Sequence, residues 1–150
     1  MTNRPGIVAQ QPSLRYAWYV VGLLTVANIS SFLDRQILAL LVGPMKRDMH
    51  LSDTKVSLLM GLSFALFYTI FGIIIGRFAD RTNRRNIIMT GIALWSVLTA
   101  LCAGVKTYSQ FFVARMGVGV GEATLSPSAY SMITDYFPKR KLATAMSVFT

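Results

Sequence analysis

The chain has 150 residues, of which 53% are hydrophobic and only 14% charged, with a mean hydropathy of +0.51. Its apolar runs exceed the about 8–20 residues of ordinary globular helices and approach the roughly 20 that a membrane span requires. A soluble domain is thereby excluded, and an all-α integral membrane protein is expected. The net charge of +9 does not indicate nucleic acid, because the basic residues fall between apolar runs rather than along one helix face or among aromatic residues.

Residues 1–14 carry Pro5, Gly6 and Pro12 and read as a polar tail. The first helix is expected over about 17–42, with Trp18 and Tyr19 placed as an interfacial aromatic belt. After Val20, Val21, Leu23 and Leu24 comes Asn28-Ile29-Ser30-Ser31-Phe32-Leu33-Asp34-Arg35. Asn28, Ser31 and Arg35 share one helix face by their i, i+3, i+7 spacing, with Asp34 beside it. That face must look into protein or an aqueous cavity. Gly43-Pro44 is expected to end the helix, followed by a polar loop over 45–51. Ser52 suits the N-cap of a second helix over about 53–78, rich in Phe64, Phe67, Tyr68 and Phe71. Gly72 and Gly76 in that helix form a GxxxG pair.

The second and third apolar runs are joined by Gly76-Arg77-Phe78-Ala79-Asp80-Arg81-Thr82-Asn83-Arg84-Arg85. Four arginines around one aspartate must lie at a membrane surface. Arg4, Arg15, Arg77, Arg81, Arg84, Arg85, Lys139, Arg140 and Lys141 fall on that side; Lys46, Arg47, Lys55 and Lys106 fall on the other. This asymmetry predicts a cytoplasmic N-terminus and a multi-pass protein of the cell (inner or plasma) membrane. The third helix is expected over about 86–105 and is the most lipid-like. A turn at 106–109 leads to a fourth over about 110–136, where Pro127 favours a kink. Gly117, Gly119 and Gly121 read as helix-packing positions, since no strand precedes them as a phosphate loop would require. A basic loop at 138–141 precedes a fifth helix from 142 onward, too short here to span a bilayer. The chain is therefore expected to stop inside its fifth helix and to be the front part of something longer.

Asp34, Arg35, Arg115 and Glu122 lie at membrane depth, where charge is costly and marks function. Arg115 and Glu122 are seven residues apart, about 10 Å along one face. Asp34 falls between them in depth if the first and fourth helices face each other. Burial that varies with conformation would make Asp34 first, and Glu122 next, the carriers of a proton. Arg35 and Arg115 offer forks for an anionic group, with Asn28 and Ser31 on the same face as Arg35. Asp135, at the cytoplasmic end of the fourth helix, is placed to pair with the arginines of the basic link. Cys102 and His50 have no metal-ligand company, and no Ser/His pair or paired aspartates lie at membrane depth, so no cofactor and no enzyme is expected.

Gly76-x-x-Ala79-Asp80-Arg81-x-Asn83-Arg84-Arg85 resembles the signature between the second and third helices of the major facilitator superfamily, with Asn83 where glycine is usual. Arg115-x-x-x-Gly119-x-Gly121-Glu122-Ala123 resembles a second signature, associated with proton coupling. Asparagine tolerates left-handed backbone, which would keep the turn at Asn83 intact. Phe32-Leu33-Asp34-Arg35, Pro127-x-Ala129 and Asp135-x-Phe137-Pro138 are similar to the Spinster subfamily. The resemblance implies twelve helices in two six-helix halves, with residues 15–150 most of the N-terminal one and a C-terminal half further along, and alternating access with proton-coupled movement of a lysophospholipid or sphingosine-phosphate-like lipid. It also implies a cytoplasmic gate of Gly76, Asp80, Arg81, Arg84, Arg85 and Asp135. The aromatic second helix, Tyr68 included, would suit an acyl chain. Rival readings are a proton-coupled organic-anion or sugar-phosphate symporter of the same superfamily, and a non-transporting membrane receptor or scaffold.

Overall fold

A computed structural model describes residues 12–48, 50–79 and 82–150. Every element in it is helical: α1 (Leu14–Asp48), α2 (Asp53–Ser57), a π-helical turn (Leu58–Leu62), α3 (Ser63–Ala79), α4 (Arg84–Cys102), α5 (Tyr108–Ala123), α6 (Leu125–Tyr136) and α7 (Lys139–Phe149). Leu14–Leu40, Asp53–Phe78 and Arg84–Cys102 are each long and apolar enough to cross a membrane.

The first helix does not stop at Gly43-Pro44 but continues to Asp48, with Pro44 inside it. Proline there removes one donor near the helix end, where few further bonds depend on it. Lys46 and Arg47 in the last turn suit the negative helix terminus. The Leu51 amide closes onto the Lys46 carbonyl at 3.1 Å, and Lys46 pairs with Asp53 across the connection. The expected loop over 45–51 is thus mostly helix. Ser52 caps α2 as expected, accepting from the Lys55 amide. The π turn between α2 and α3 has no counterpart among the sequence expectations.

Asn83 is neither glycine-like nor strained. Its φ is −68°, and its side chain caps α4 by accepting from the Arg85 amide. The expected need for left-handed tolerance at this position is therefore corrected: asparagine serves as an N-cap. With that cap, α4 starts at Arg84 and ends at Cys102, earlier at both ends than expected. Thr107 caps α5 through the Gln110 amide.

The fourth apolar stretch is two helices broken at Thr124, three residues before Pro127. Proline cannot donate to the Ala123 carbonyl, so the ladder is interrupted just where α5 ends. The Thr124 amide and hydroxyl instead both bond the Gly121 carbonyl, at 3.2 and 2.7 Å. After Tyr136, Pro138 opens α7 at Lys139 rather than 142.

The α5–α6 pair forms the centre of the bundle. α5 packs against α3 and α4, while α6 touches α1, α3, α4 and α7. The main core joins Val21 and Leu24 of α1, Trp95 of α4, Ala129 and Ile133 of α6, and Phe149 of α7. The tightest approach is between α4 and the broken helix, where a Cβ on Gly91 would lie 1.8 Å from the Thr124 hydroxyl. A Cβ on Gly121 would meet the Gly91 carbonyl at 3.0 Å. The fourth-helix glycines therefore do pack helices, as expected. Of the GxxxG pair, only Gly76 has a neighbour, 3.7 Å from Pro127; Gly72 faces open space. Leu23, Val26, Ile29, Leu33, Ile37 and Leu40 leave one face of α1 apolar and exposed.

Candidate functional site

The buried charges meet where α1, α3 and α5 converge. Glu122, on the last turn of α5, is 1% exposed. Its Oε2 accepts three hydrogen bonds: from Ser31 Oγ at 2.8 Å, Arg35 Nε at 2.9 Å and Arg35 Nη2 at 2.7 Å. Its Oε1 is buried with no partner among the described residues. Ser31 and Arg35 are brought to it by their i, i+4 spacing on α1, and Arg35 Nη2 also reaches Ser31 Oγ at 3.4 Å. Two guanidinium donors and a hydroxyl on one oxygen hold the carboxylate by charge-assisted bonds.

Arg115 lies two turns before Glu122 on α5. It is 5% exposed, and its Nε has no hydrogen-bond partner among the described residues. Phe64, near the start of α3, stands against both arginines: its ring centroid is 4.9 Å from the Arg35 guanidinium carbon and 5.5 Å from that of Arg115. Gly119 makes the room, since a Cβ there would lie 3.2 Å from the Phe64 ring. Tyr68 stacks on Phe64 at 5.8 Å, lies 5.2 Å from the Arg35 guanidinium, and bonds Ser126 through its hydroxyl at 3.2 Å.

Asp34 does not join this cluster. It lines a cavity between α1 and α4 with Ser30, Trp95, Ser96 and Thr99, and makes no ion pair among the described residues. Its neighbour Arg35, about 100° further round the helix, reaches Glu122 instead, together with Ser31. Asn28 donates to the Phe149 carbonyl at 3.2 Å, and with Ser31, Arg35 and Thr150 it lines a cavity of about 220 Å³. The substrate-side residues expected from sequence thus divide. Arg35, Ser31, Tyr68 and Arg115 converge on Glu122 and Phe64, while Asn28 borders the same region beside α7.

At the far end of α6 Arg84 pairs with Asp135, whereas Gly76 faces Pro127 near the start of α6. Arg85 instead borders a groove between α1, α4 and α6, with Tyr16 and Tyr136. Asp80 and Arg81 lie outside the described residues, as does most of the polar tail. The sequence marks Phe64 only as one of the aromatics of the second helix and gives Ser126 no role. The available signal was Gly119: a glycine placed between Arg115 and Glu122 leaves a notch beside two charges, and a ring fills it.

The sequence profile of the Major Facilitator Superfamily matches residues 24–150. Over 136 residues the chain is 31% identical to an MFS-type efflux pump of Mycolicibacterium smegmatis, spanning 91% of this chain and 32% of the pump. It is 33% identical over 139 residues to Protein spinster homolog 1 of Xenopus tropicalis, spanning 91% of this chain and 26% of that protein. Sphingosine-1-phosphate transporter SPNS2 of Xenopus tropicalis and a probable L-galactonate transporter of Escherichia coli are each 30% identical, over 94% and 85% of this chain and 29% and 28% of their own. The crystal structure of a bacterial homologue of the human lysosomal transporter Spinster, inward-facing and unoccupied, superposes with a TM-score of 0.88 at 37% identity, covering 92% of this chain and 29% of that one. The chain therefore spans about a quarter to a third of the length of these relatives, most of which are named as transporters or a pump and none as an enzyme. By profile, sequence and fold together, this multi-pass helical membrane chain belongs to the major facilitator superfamily and within it is similar to the Spinster proteins.

Proposed function

We propose that the complete protein is a secondary active transporter working by alternating access, which couples proton movement to an amphiphilic anionic lipid such as a lysophospholipid or a sphingosine phosphate. The observation that carries this reading is Glu122, a carboxylate buried at membrane depth whose Oε2 takes three donors while Oε1 has none among the described residues. A proton arriving at Oε1 neutralises the acid and releases Arg35 from its ion pair. The freed fork then binds an oxyanion beside Arg115. Release of the proton re-forms the pair and expels the anion, so proton and cargo are linked through one side chain.

Glu122 is thus the first proton site in this reading, and Asp34, facing α4, the second. Arg35 and Arg115 hold the head group; Asn28, Ser31 and Tyr68 line its surroundings. Gly76, Asp80, Arg81, Arg84, Arg85 and Asp135 form the cytoplasmic gate, in which the pair of Arg84 with Asp135 is one latch. The N-terminus is cytoplasmic, the membrane is the cell membrane, and a C-terminal half of the same chain supplies the other wall of the pathway. The lipid cargo is supported by the relatives named as sphingosine-1-phosphate transporters.

A second reading draws on the relative named as a probable L-galactonate transporter. The same two arginines would then hold a soluble organic anion, in symport with a proton. One experiment separates the two. The full-length protein in proteoliposomes is given a labelled lysophospholipid or labelled galactonate, with and without an imposed pH gradient. Gradient-driven lipid flux that is lost in Glu122→Gln supports the first reading, and galactonate flux without lipid flux supports the second. Flux of neither, from folded protein, refutes both and leaves a scaffold.

A further inference from the structure

The Phe64 ring lies against the Arg35 and the Arg115 guanidiniums together, and a Cβ at residue 119 would crowd it at 3.2 Å, which glycine avoids. Arg35 has Glu122 for compensation. Arg115 is buried, has no ion pair among the described residues, and leaves its Nε without a hydrogen bond. A ring face is a weak partner for a buried guanidinium, whereas an oxyanion returns paired, charge-assisted hydrogen bonds. The unpartnered Nε of Arg115 and Oε1 of Glu122 therefore mark a site whose polar groups exceed its polar partners.

We propose that Phe64 is a displaceable plug, its ring standing in for cargo between Arg35 and Arg115 and giving way to the oxyanion head group of an amphiphilic anion. The proposal rests on the reading of these two arginines as anion-binding residues. The local chain is suited to the movement. Phe64 is the second residue of α3, directly after the π turn Leu58–Leu62, and such turns interrupt the regular ladder and recur at functional sites. Tyr68, one turn on, is anchored to Ser126 and stays as the fixed wall.

The test uses full-length protein in neutral detergent, titrated with octyl phosphate and with octanoate, the two probes separating phosphate from carboxylate recognition. Phe64→Leu keeps an apolar, though smaller, side chain but removes the ring face. It is expected to bind the preferred probe about tenfold tighter than wild type, equivalent to about 1.4 kcal/mol. Equal or weaker binding by folded Phe64→Leu overturns the plug. Arg115→Gln and Arg35→Gln test the underlying site: undiminished binding in both overturns the anion reading itself, whatever Phe64 does. In otherwise wild-type protein, 4-fluorophenylalanine at position 64 gives a fluorine resonance that shifts on saturation with octyl phosphate or octanoate. A resonance unmoved by either probe at saturation overturns the proposal independently of any variant's stability.

Discussion

Arg35 and Glu122, 87 residues apart in sequence, share one carboxylate oxygen: both guanidinium bonds end on Oε2, at 2.9 and 2.7 Å, and neither on Oε1. The pair is asymmetric in burial as well, with 40% of the Arg35 side chain exposed and none of Glu122. One end of the pair is therefore fixed in the protein, and the other is within reach of solvent or cargo.

Removing the fixed end exposes what the pair contributes. Glu122→Ala leaves Arg35 and Ser31 without their acceptor and is expected to destabilise the folded protein by about 3 kcal/mol, the low end for a broken buried pair because Arg35 is partly exposed. Glu122→Gln keeps the shape and one acceptor oxygen, so its loss of stability is smaller. Its gradient-driven flux nevertheless falls at least as far as that of Glu122→Ala. Thermal unfolding in detergent and proteoliposome flux check the two halves, and parallel losses in both variants would refute the separate roles.

The contact between Gly91 and Thr124 predicts a steric clash with a defined partner. Gly91→Ala places a methyl group within 1.8 Å of the Thr124 hydroxyl and is expected to cost about 1–3 kcal/mol. Thr124→Ala removes the hydroxyl and the Cγ2 methyl but leaves the Thr124 Cβ, 2.7 Å from that position, so the double variant recovers only part of the loss. Unfolding midpoints of the four proteins give the interaction energy, and strict additivity would contradict the contact.

Pro127 sets the break between α5 and α6 by withholding a donor from the Ala123 carbonyl. In Pro127→Ala the new amide heals the ladder, and amide exchange across residues 123–128 is expected to slow. The straightened helix carries Glu122 away from Arg35, so gradient-driven flux falls while the helix itself becomes more regular. Unchanged exchange would mean that Thr124 and Gly121 impose the break without proline.

Arg84 and Asp135 form a pair at the surface end of the bundle, with 26% and 55% of their side chains exposed. Solvent screening limits its worth to within about 1 kcal/mol, so Asp135→Asn moves the unfolding midpoint little. A latch role shows instead in conformation. Cysteines placed on the bundle face that carries this pair become more reactive to a hydrophilic maleimide in Asp135→Asn, and the charge-swapped pair Arg84→Asp with Asp135→Arg restores the wild-type rate. An effect on stability equal to the effect on labelling would argue for a merely structural pair.

The membrane class, the Ser52 cap and the helix-packing glycines of the fourth stretch were all readable from composition, run length and spacing, because each depends on residues within a few positions of one another. Ser31 and Arg35 were likewise placed on one face by their four-residue spacing alone. What folding decided was which faces meet. Asp34 and Arg35 are neighbours in sequence, yet only Arg35 reaches Glu122, because successive helix residues point about 100° apart and the rotation of α1 against α5 is set by packing over its whole length. The π turn before Phe64 and the break at Thr124 shift the register of the faces beyond them, and no local pattern announced the first. The partners of Glu122, the ring between the two arginines and the capping role of Asn83 therefore came from tertiary structure, where contact follows from the mutual rotation of helices rather than from the order of residues along any one of them.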